Sequence, residues 1–193
     1  MKTTEIKEYI VIKDKNSHPK LEETRSFNWV GELSSTDEIH RMLNEVFRMN
    51  KLSTEMSYVV ALDHAKKLKG VCQIGHGDAS QVLTSMQNIF TFLLLTGANS
   101  FVLAHNHVSE MPVASYDDSI ITSKTSSLAD IFDIEFVGHM IVHPGGYNID
   151  GGIMDGTELA LDYEDLGNDM AATYVFGSRI EGKLEDIKKI CEG

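Results

Sequence analysis

Ser100–Asp118, SFVLAHNHVSEMPVASYDD, is the stretch on which the reading of this chain turns. The apolar run Phe101–Ala104 leads into His105-Asn106-His107, and Ser115 and Asp118 follow, so the polar residues form the pattern H-x-H-x7-S-x2-D. If the run is a strand that continues to His107, side chains two apart share a face. Both imidazoles then point to one place while Asn106 points away. Zinc accepts imidazole nitrogen and carboxylate oxygen, and a catalytic zinc site has three protein ligands with a fourth position left for water. His105, His107 and Asp118 supply that set with the Ser115 hydroxyl beside it, and hydrolysis is the chemistry it points to.

Each piece has a bland explanation. The chain holds eight histidines in 193 residues, so an H-x-H pair arises by chance in roughly one such chain in three. Ser115-x-x-Asp118 is also the signature of a helix N-terminal capping box. A serine and an acid at these two offsets after H-x-H bring the chance expectation down to roughly two in a thousand. Cap and ligand are compatible, because a cap fixes the turn that presents Asp118.

The stretch LAHNHVSEMPVASYDDS resembles the metal motif of the RadC family of JAB/MPN (JAMM) metallopeptidase-like domains. The likeness continues through GELSSTDEIHRMLNEVF, EMSYVVALD, QVLTSMQNIFTFLLLTGANS and GHMIVHPGGY, roughly residues 31 to 150. The resemblance implies an α/β fold, a three-layer JAB/MPN-like mixed sheet flanked by helices. It implies that His105, His107 and Asp118 hold Zn(2+), that Ser115 is the oxyanion partner, and that Glu55, just before SYVVALD, is the catalytic glutamate. By residue type alone, Glu55 is a single acid that a pairing with Lys51 would explain. Two departures from the family pattern stand out: Val108 replaces the usual proline after H-x-H, and Glu110-Met111 replaces a Gly-Asp pair. Both change the stiffness of the loop that frames access to the site.

The length suits one domain with extensions, and 42% hydrophobic residues is ordinary for a globular chain. A formal charge of −12 repels a phosphate backbone unless a basic patch exists. The candidates for one are Lys66, Lys67 and Lys69, and the dispersed cluster from Lys183 to Lys189. Nucleic-acid binding is therefore not supported by charge, and the DNA-repair association in the family's name stays the weaker option. The expected partner is a peptide or protein substrate. Cys72 and Cys191 are not spaced as a metal pair and suit a reducing interior. MKTTEIKEYIVIKDK lacks the apolar core of a signal peptide, and no run reaches the ~18 apolar residues of a spanning helix. The expectation is a cytoplasmic protein with no membrane segment.

Three regions are expected: an N-terminal extension over 1–29, the RadC-like domain over 30–154, and an acidic segment with a C-terminal helix over 155–193. The extension is polar, with a short alternating piece at Tyr9–Lys13 and the lone Trp29. Ser35-x-x-Glu38 opens a helix whose Ile39, Met42, Leu43, Val46 and Phe47 recur with helical spacing. Tyr58–Leu62 and Leu68–Ile74 read as strands joined by a turn at Asp63–Lys67. A second helix, capped by Ser80, carries Val82, Leu83, Met86, Ile89, Phe90, Leu93 and Leu94 and ends at Gly97. A helix between strands implies a crossover onto one sheet, delivering the histidines to the C-terminal end of their strand, where sites of open α/β sheets lie.

A third helix from Tyr116 turns Ile120, Ile121, Leu128, Ile131 and Phe132 inward. A strand over Ile134–Val142 follows, and Pro144-Gly145-Gly146 turns the chain back through Tyr147–Ile149. His139 and His143 read as surface or hydrogen-bonded core histidines outside the site. Asp155, Glu158, Asp162, Glu164, Asp165 and Asp169 make a solvated acidic segment. Leu184, Ile187 and Cys191 share a face of a helix over 181–191, able to dock on the domain or on a second copy in a homo-oligomer.

The mechanism implied is hydrolysis of a peptide or isopeptide amide. Zinc brings the pKa of its water to about 7, Glu55 moves the proton, and Ser115 stabilises the oxyanion, a role worth roughly 3 kcal/mol. Zinc deamination needs H-x-E with P-C-x-x-C, which the chain lacks. An HNH nuclease is supported only by the literal letters and opposed by the charge. The rival from another class is a scaffold or peptide-binding module that keeps a metal site without turnover.

Overall fold

Alternation along two central strands splits the core into two apolar layers, one on each face of a sheet. The protein is seen in a computed structural model that describes residues 2–33, 35–77, 85–109 and 113–150, with the backbone of 163–167, 170–175 and 178–183. The elements in chain order are β1 (Thr3–Lys13), β2 (Pro19–Val30), α1 (Thr36–Phe47), β3 (Met56–Leu62), β4 (Leu68–His76), α2 (Met86–Thr96) and β5 (Ser100–Asn106). They continue with α3 (Tyr116–Phe132), β6 (Glu135–His143), β7 (Gly146–Asp150), β8 (Tyr163–Gly167), β9 (Met170–Val175) and β10 (Ser178–Lys183). Seven strands form a mixed sheet in the order β2-β1-β4-β3-β5-β6-β7, and β10-β9-β8 form a separate antiparallel one.

Val60, Val102, Ala104, Met140 and Val142 face one side and pack with Met42, Leu43 and Phe47 of α1. Val59, Ala61, Phe101 and Leu103 face the other and pack with Ile89, Phe92 and Leu93 of α2 and Ala129 of α3. Helices therefore cover both faces of the sheet, as an α/β fold of the JAB/MPN kind requires. Phe92, Phe101, Leu103 and Met140 are wholly buried, each contributing about 1.5–3 kcal/mol relative to exposure. Every residue of β5 is buried, which suits a central strand covered on both faces.

The expected crossover is present. β4 and β5 both run antiparallel to β3 and flank it, with α2 as the connection. The Asp63–Lys67 turn is a hairpin in which Asp63 Oδ1 accepts from the Ala65 and Lys67 amides while Lys66 takes a positive φ of 59°. Ser35 caps α1 by accepting from the Glu38 amide at 3.3 Å, and the Glu38 carboxylate turns to Arg41 at 2.6 Å.

Several expectations are corrected. In place of the expected short alternating piece at Tyr9–Lys13, Thr3–Val30 form a long hairpin inside the main sheet, with β1 beside β4 in parallel. Ile6 and Trp29 belong to the core. Its strand alternation is disguised because the position after Ile6 on the same face is Glu8, a buried carboxylate held by Arg25 Nε at 2.6 Å. α2 begins at Met86 with Ser85 as its cap; Ser80, Val82 and Leu83 lie outside the described residues.

Ile121 and Leu128 of α3 pack inward as expected, but its buried stripe is Asp118, Thr122, Thr125 and Ala129. Ile131 is 75% exposed because it lies about 220° around the helix from Asp118. Phe132 is partly exposed in the last turn, stacked on Phe90 with centroids 5.2 Å apart. Glu181–Lys183, expected to begin a helix, end β10, and 184–193 lie outside the described residues. Within the expected acidic segment, Tyr163–Gly167 is strand β8. Among the described residues no helix is long and apolar enough to cross a membrane.

Candidate metal centre

The site is built where β5 ends. Odd-numbered residues of β5 face α2 and α3, so Phe101 and Leu103 enter the core and His105 follows them on the same face. The strand ends at Asn106, but the His107 amide still donates to the Val142 carbonyl at 2.8 Å. This bond extends the alternation by one residue and brings the two imidazole rings to a centroid separation of 4.8 Å.

Asp118 arrives from α3. The expected capping box is complete: Ser115 Oγ accepts from the Asp118 amide and the Asp118 carboxylate accepts from the Ser115 amide. Asp118 Oδ2 receives the Ser115 amide at 2.7 Å and the Ser115 hydroxyl at 2.6 Å, so the carboxylate is locked in place by its own helix start.

His105, His107 and Asp118 are the one described group that could hold a metal ion, with ligand atoms all within 4.8 Å of one another. His105 Nε2 stands 3.2 Å from Asp118 Oδ1, and His107 Nε2 stands 3.3 Å from Asp118 Oδ2. Donors about 2.1 Å from a tetrahedral ion are about 3.4 Å apart, so the spacing suits one. His105 Nε2 is also buried without a hydrogen-bond partner. It is near enough to the carboxylate for attraction but off-line for a hydrogen bond. A buried nitrogen left bare beside a carboxylate is costly unless something else binds it. The residues fit a divalent cation.

The electrostatics agree with that fit. Burial pulls the His105 pKa down to about 4 against the opposing pull of Asp118, so its imidazole is neutral and able to ligate. Burial would raise the Asp118 carboxyl, but the His107 hydrogen bond, the nearby His105 and the Ser115 hydroxyl and amide together hold it well below the usual carboxylate range.

Glu55 stands outside the ligand group. It lies one residue before β3 begins at Met56 and two before Ser57, the Cα partner of His105, and its carbonyl accepts from the Gly77 amide at 2.9 Å. Asn106 points to the opposite face, wholly buried. Its Oδ1 accepts from the Met56 amide at 2.9 Å and its Nδ2 donates to the Thr54 carbonyl at 3.1 Å. The middle residue of H-x-H thus grips the backbone on both sides of Glu55. Val108 follows His107 in a bend; Glu110 and Met111 lie outside the described residues.

Three further residues join the site, and the pattern H-x-H-x7-S-x2-D does not contain them. His139, 2% exposed, places Nε2 2.8 Å from His105 Nδ1. Thr122 Oγ1 lies 2.8 Å from His139 Nδ1, 2.8 Å from the Asp118 carbonyl and 3.0 Å from Asp150 Oδ2. Burial pulls the His139 pKa down to about 3, with His105 adding to the effect, and burial raises that of Asp150.

A bulge explains why plain alternation hides His139. Phe101 pairs with Phe136 but Val102 pairs with Gly138, so Val137 is the extra residue and the alternation of β6 flips there. Phe136 and His139 consequently share the α3 face. A readable signal for Thr122 did exist, since it follows Asp118 by one helical turn.

A mixed sheet covered on both faces, with two histidines from a strand end and an aspartate from the next helix start, defines an α/β domain with a side-chain group able to hold a metal ion. The RadC-like JAB domain family model matches residues 33–149, and the chain belongs to that family. It is similar to a UPF0758 protein of Symbiobacterium thermophilum, 30% identical over 100 residues covering 52% of this chain and 43% of that one. A UPF0758 protein of Thermotoga maritima is 26% identical over 115 residues, 60% of this chain and 50% of its own. One from Geotalea uraniireducens is 24% identical over 132 residues, 67% and 57% respectively. The chain spans about half the length of these curated relatives.

Proposed function

We propose that the domain is a zinc-dependent hydrolase of the JAMM type, acting on a peptide or isopeptide amide. The observation that carries this reading is the bare, buried Nε2 of His105 facing Asp118 Oδ1, with His107 completing three donors. A zinc ion held there would supply a water activated near neutral pH. Glu55, just before the strand that pairs with the histidine strand, takes the proton from the attacking water and returns it to the departing amine. Ser115 contributes its hydroxyl to the carbonyl oxygen as charge develops there. The acidic chain, at −12, speaks for a protein or peptide substrate over a nucleic acid.

One contact favours the alternative, a metal-binding scaffold without turnover: the Ser115 hydroxyl already donates to Asp118 Oδ2 at 2.6 Å, so an oxyanion role requires it to turn. A peptide-library cleavage screen of zinc-loaded wild type against Glu55→Gln separates the two. The hydrolase reading expects cleavage by wild type that Glu55→Gln loses while keeping its zinc. Indistinguishable profiles favour the scaffold.

A further inference from the structure

We propose that Thr122 and His139 form a one-way hydrogen-bond chain that fixes the proton of His105 on Nδ1 and leaves Nε2 bare for a cation. The inference rests on His105 being a metal ligand, as proposed above, but its direction follows from the far end of the chain. Thr122 has one hydroxyl hydrogen and two acceptors for it, the Asp118 carbonyl at 2.8 Å and Asp150 Oδ2 at 3.0 Å. A backbone carbonyl only accepts, and so does an ionised carboxylate. With Asp150 ionised, a hydrogen turned to His139 would leave that carboxylate facing a hydroxyl lone pair at 3.0 Å, so the hydrogen goes to one of the two oxygens and away from His139.

The remaining contact of Thr122 Oγ1, with His139 Nδ1 at 2.8 Å, must then have the ring as donor. A neutral imidazole carries one N–H. With His139 protonated on Nδ1, its Nε2 is an acceptor, and the 2.8 Å contact with His105 Nδ1 requires the hydrogen to sit on His105. The one nitrogen left without a proton is His105 Nε2, the atom found buried and unpartnered. Its lone pair faces the Asp118 carboxylate across 3.2 Å, an arrangement that a cation between them relieves. Thr122 and His139 are positioning residues, and Asp150, the Cα partner of His139 on β7, anchors the chain beside them.

Histidine nitrogen shifts by 15N NMR on the metal-free chain, combined with Zn2+ titration, test this. Wild type is expected to show His105 and His139 both protonated on Nδ1. Thr122→Val, similar in shape but without the hydroxyl, is expected to lose the His139 preference and to bind Zn2+ about 10–100-fold more weakly. Thr122→Ser is expected to restore both, which covers the case in which Thr122→Val does not fold. A proton on His105 Nε2 in metal-free wild type, or wild-type tautomers and affinity in Thr122→Val, would overturn the chain. Failure of wild type to bind Zn2+ with the tautomers as assigned would instead overturn the ligand reading, leaving the proton order intact.

Discussion

His139 Nε2 sits 2.8 Å from His105 Nδ1 in a region closed to solvent, so the ring that faces the candidate ion is held from behind by a second histidine. Removing that support exposes two effects at once. His139→Leu leaves a buried N–H on His105 without an acceptor, at a cost of about 1–3 kcal/mol. It also frees the ring to turn, and the expected loss of Zn2+ affinity is about 10–100-fold. Urea unfolding of the metal-free protein and competition with a chelator measure the two separately. Unchanged affinity would leave His139 with a packing role alone.

The same burial makes the metal-free protein sensitive to acid. The folded pKa values of about 4 for His105 and about 3 for His139 lie below the ordinary 6.5. On acidification below about 6.5 the unfolded chain takes up protons that the folded one refuses. This contribution is complete above 6.5 and declines as pH falls toward 4. Denaturation midpoints of chelator-treated protein should therefore be level above about pH 6.5 and drop steadily from there to about pH 5, whereas a flat profile throughout would show that these imidazoles are not held neutral.

Asn106 offers a way to disturb Glu55 without touching the metal. Asn106→Leu strips partners from the Met56 amide and the Thr54 carbonyl, costing about 1–3 kcal/mol for each group left unpaired. The expected variant is less stable and binds Zn2+ with wild-type stoichiometry. If the domain cleaves amides as proposed, that cleavage is slower in the variant, because the backbone around Glu55 is no longer gripped. Full activity at a lowered melting temperature would confine Asn106 to a structural role.

Ser115→Ala removes the cap hydroxyl of α3 and one of the hydrogen bonds on Asp118 Oδ2. Loss of the cap costs about 1 kcal/mol, and the carboxylate keeps the Ser115 amide, so Zn2+ should still bind, more weakly than to wild type. Kinetics then separate cap from oxyanion partner. If Ser115 serves the reaction, kcat falls by about 100-fold or more; if it only caps, kcat at saturating zinc stays near wild type.

Cys72 faces the α2 layer at 2% exposure, and burial pushes its thiol up to about 12. Alkylation needs the thiolate, so peptide mapping after iodoacetamide at pH 8 should find Cys72 unmodified in folded protein and labelled in urea. Labelling without denaturant would contradict the packing of β4 against α2.

Most of the sheet and the convergence of His105, His107 and Asp118 were legible because local chemistry and global fold agree there. Phe101–Ala104 is too apolar to be anything but buried, and the H-x-H parity holds because His107 stays in the ladder. Ser115 and Asp118 obey one helix-start rule that serves both the cap and the site. What stayed hidden depends on long-range contact. Glu8 and Arg25 form their ion pair only once β1 and β2 are aligned, so the hairpin reads as polar extension. The parity of His139 is set by the Val137 bulge, which the partner strand determines. Ile131 and Phe132 look like core by type, yet the rotation of α3 is dictated by Asp118 facing the histidines.

The central claim is that His105, His107 and Asp118 converge on one divalent ion. Elemental analysis of protein purified without added zinc, wild type beside Asp118→Ala, tests it most directly. The account predicts about one zinc per chain in wild type and almost none in the variant at unchanged secondary structure. Equal metal in both proteins would contradict it.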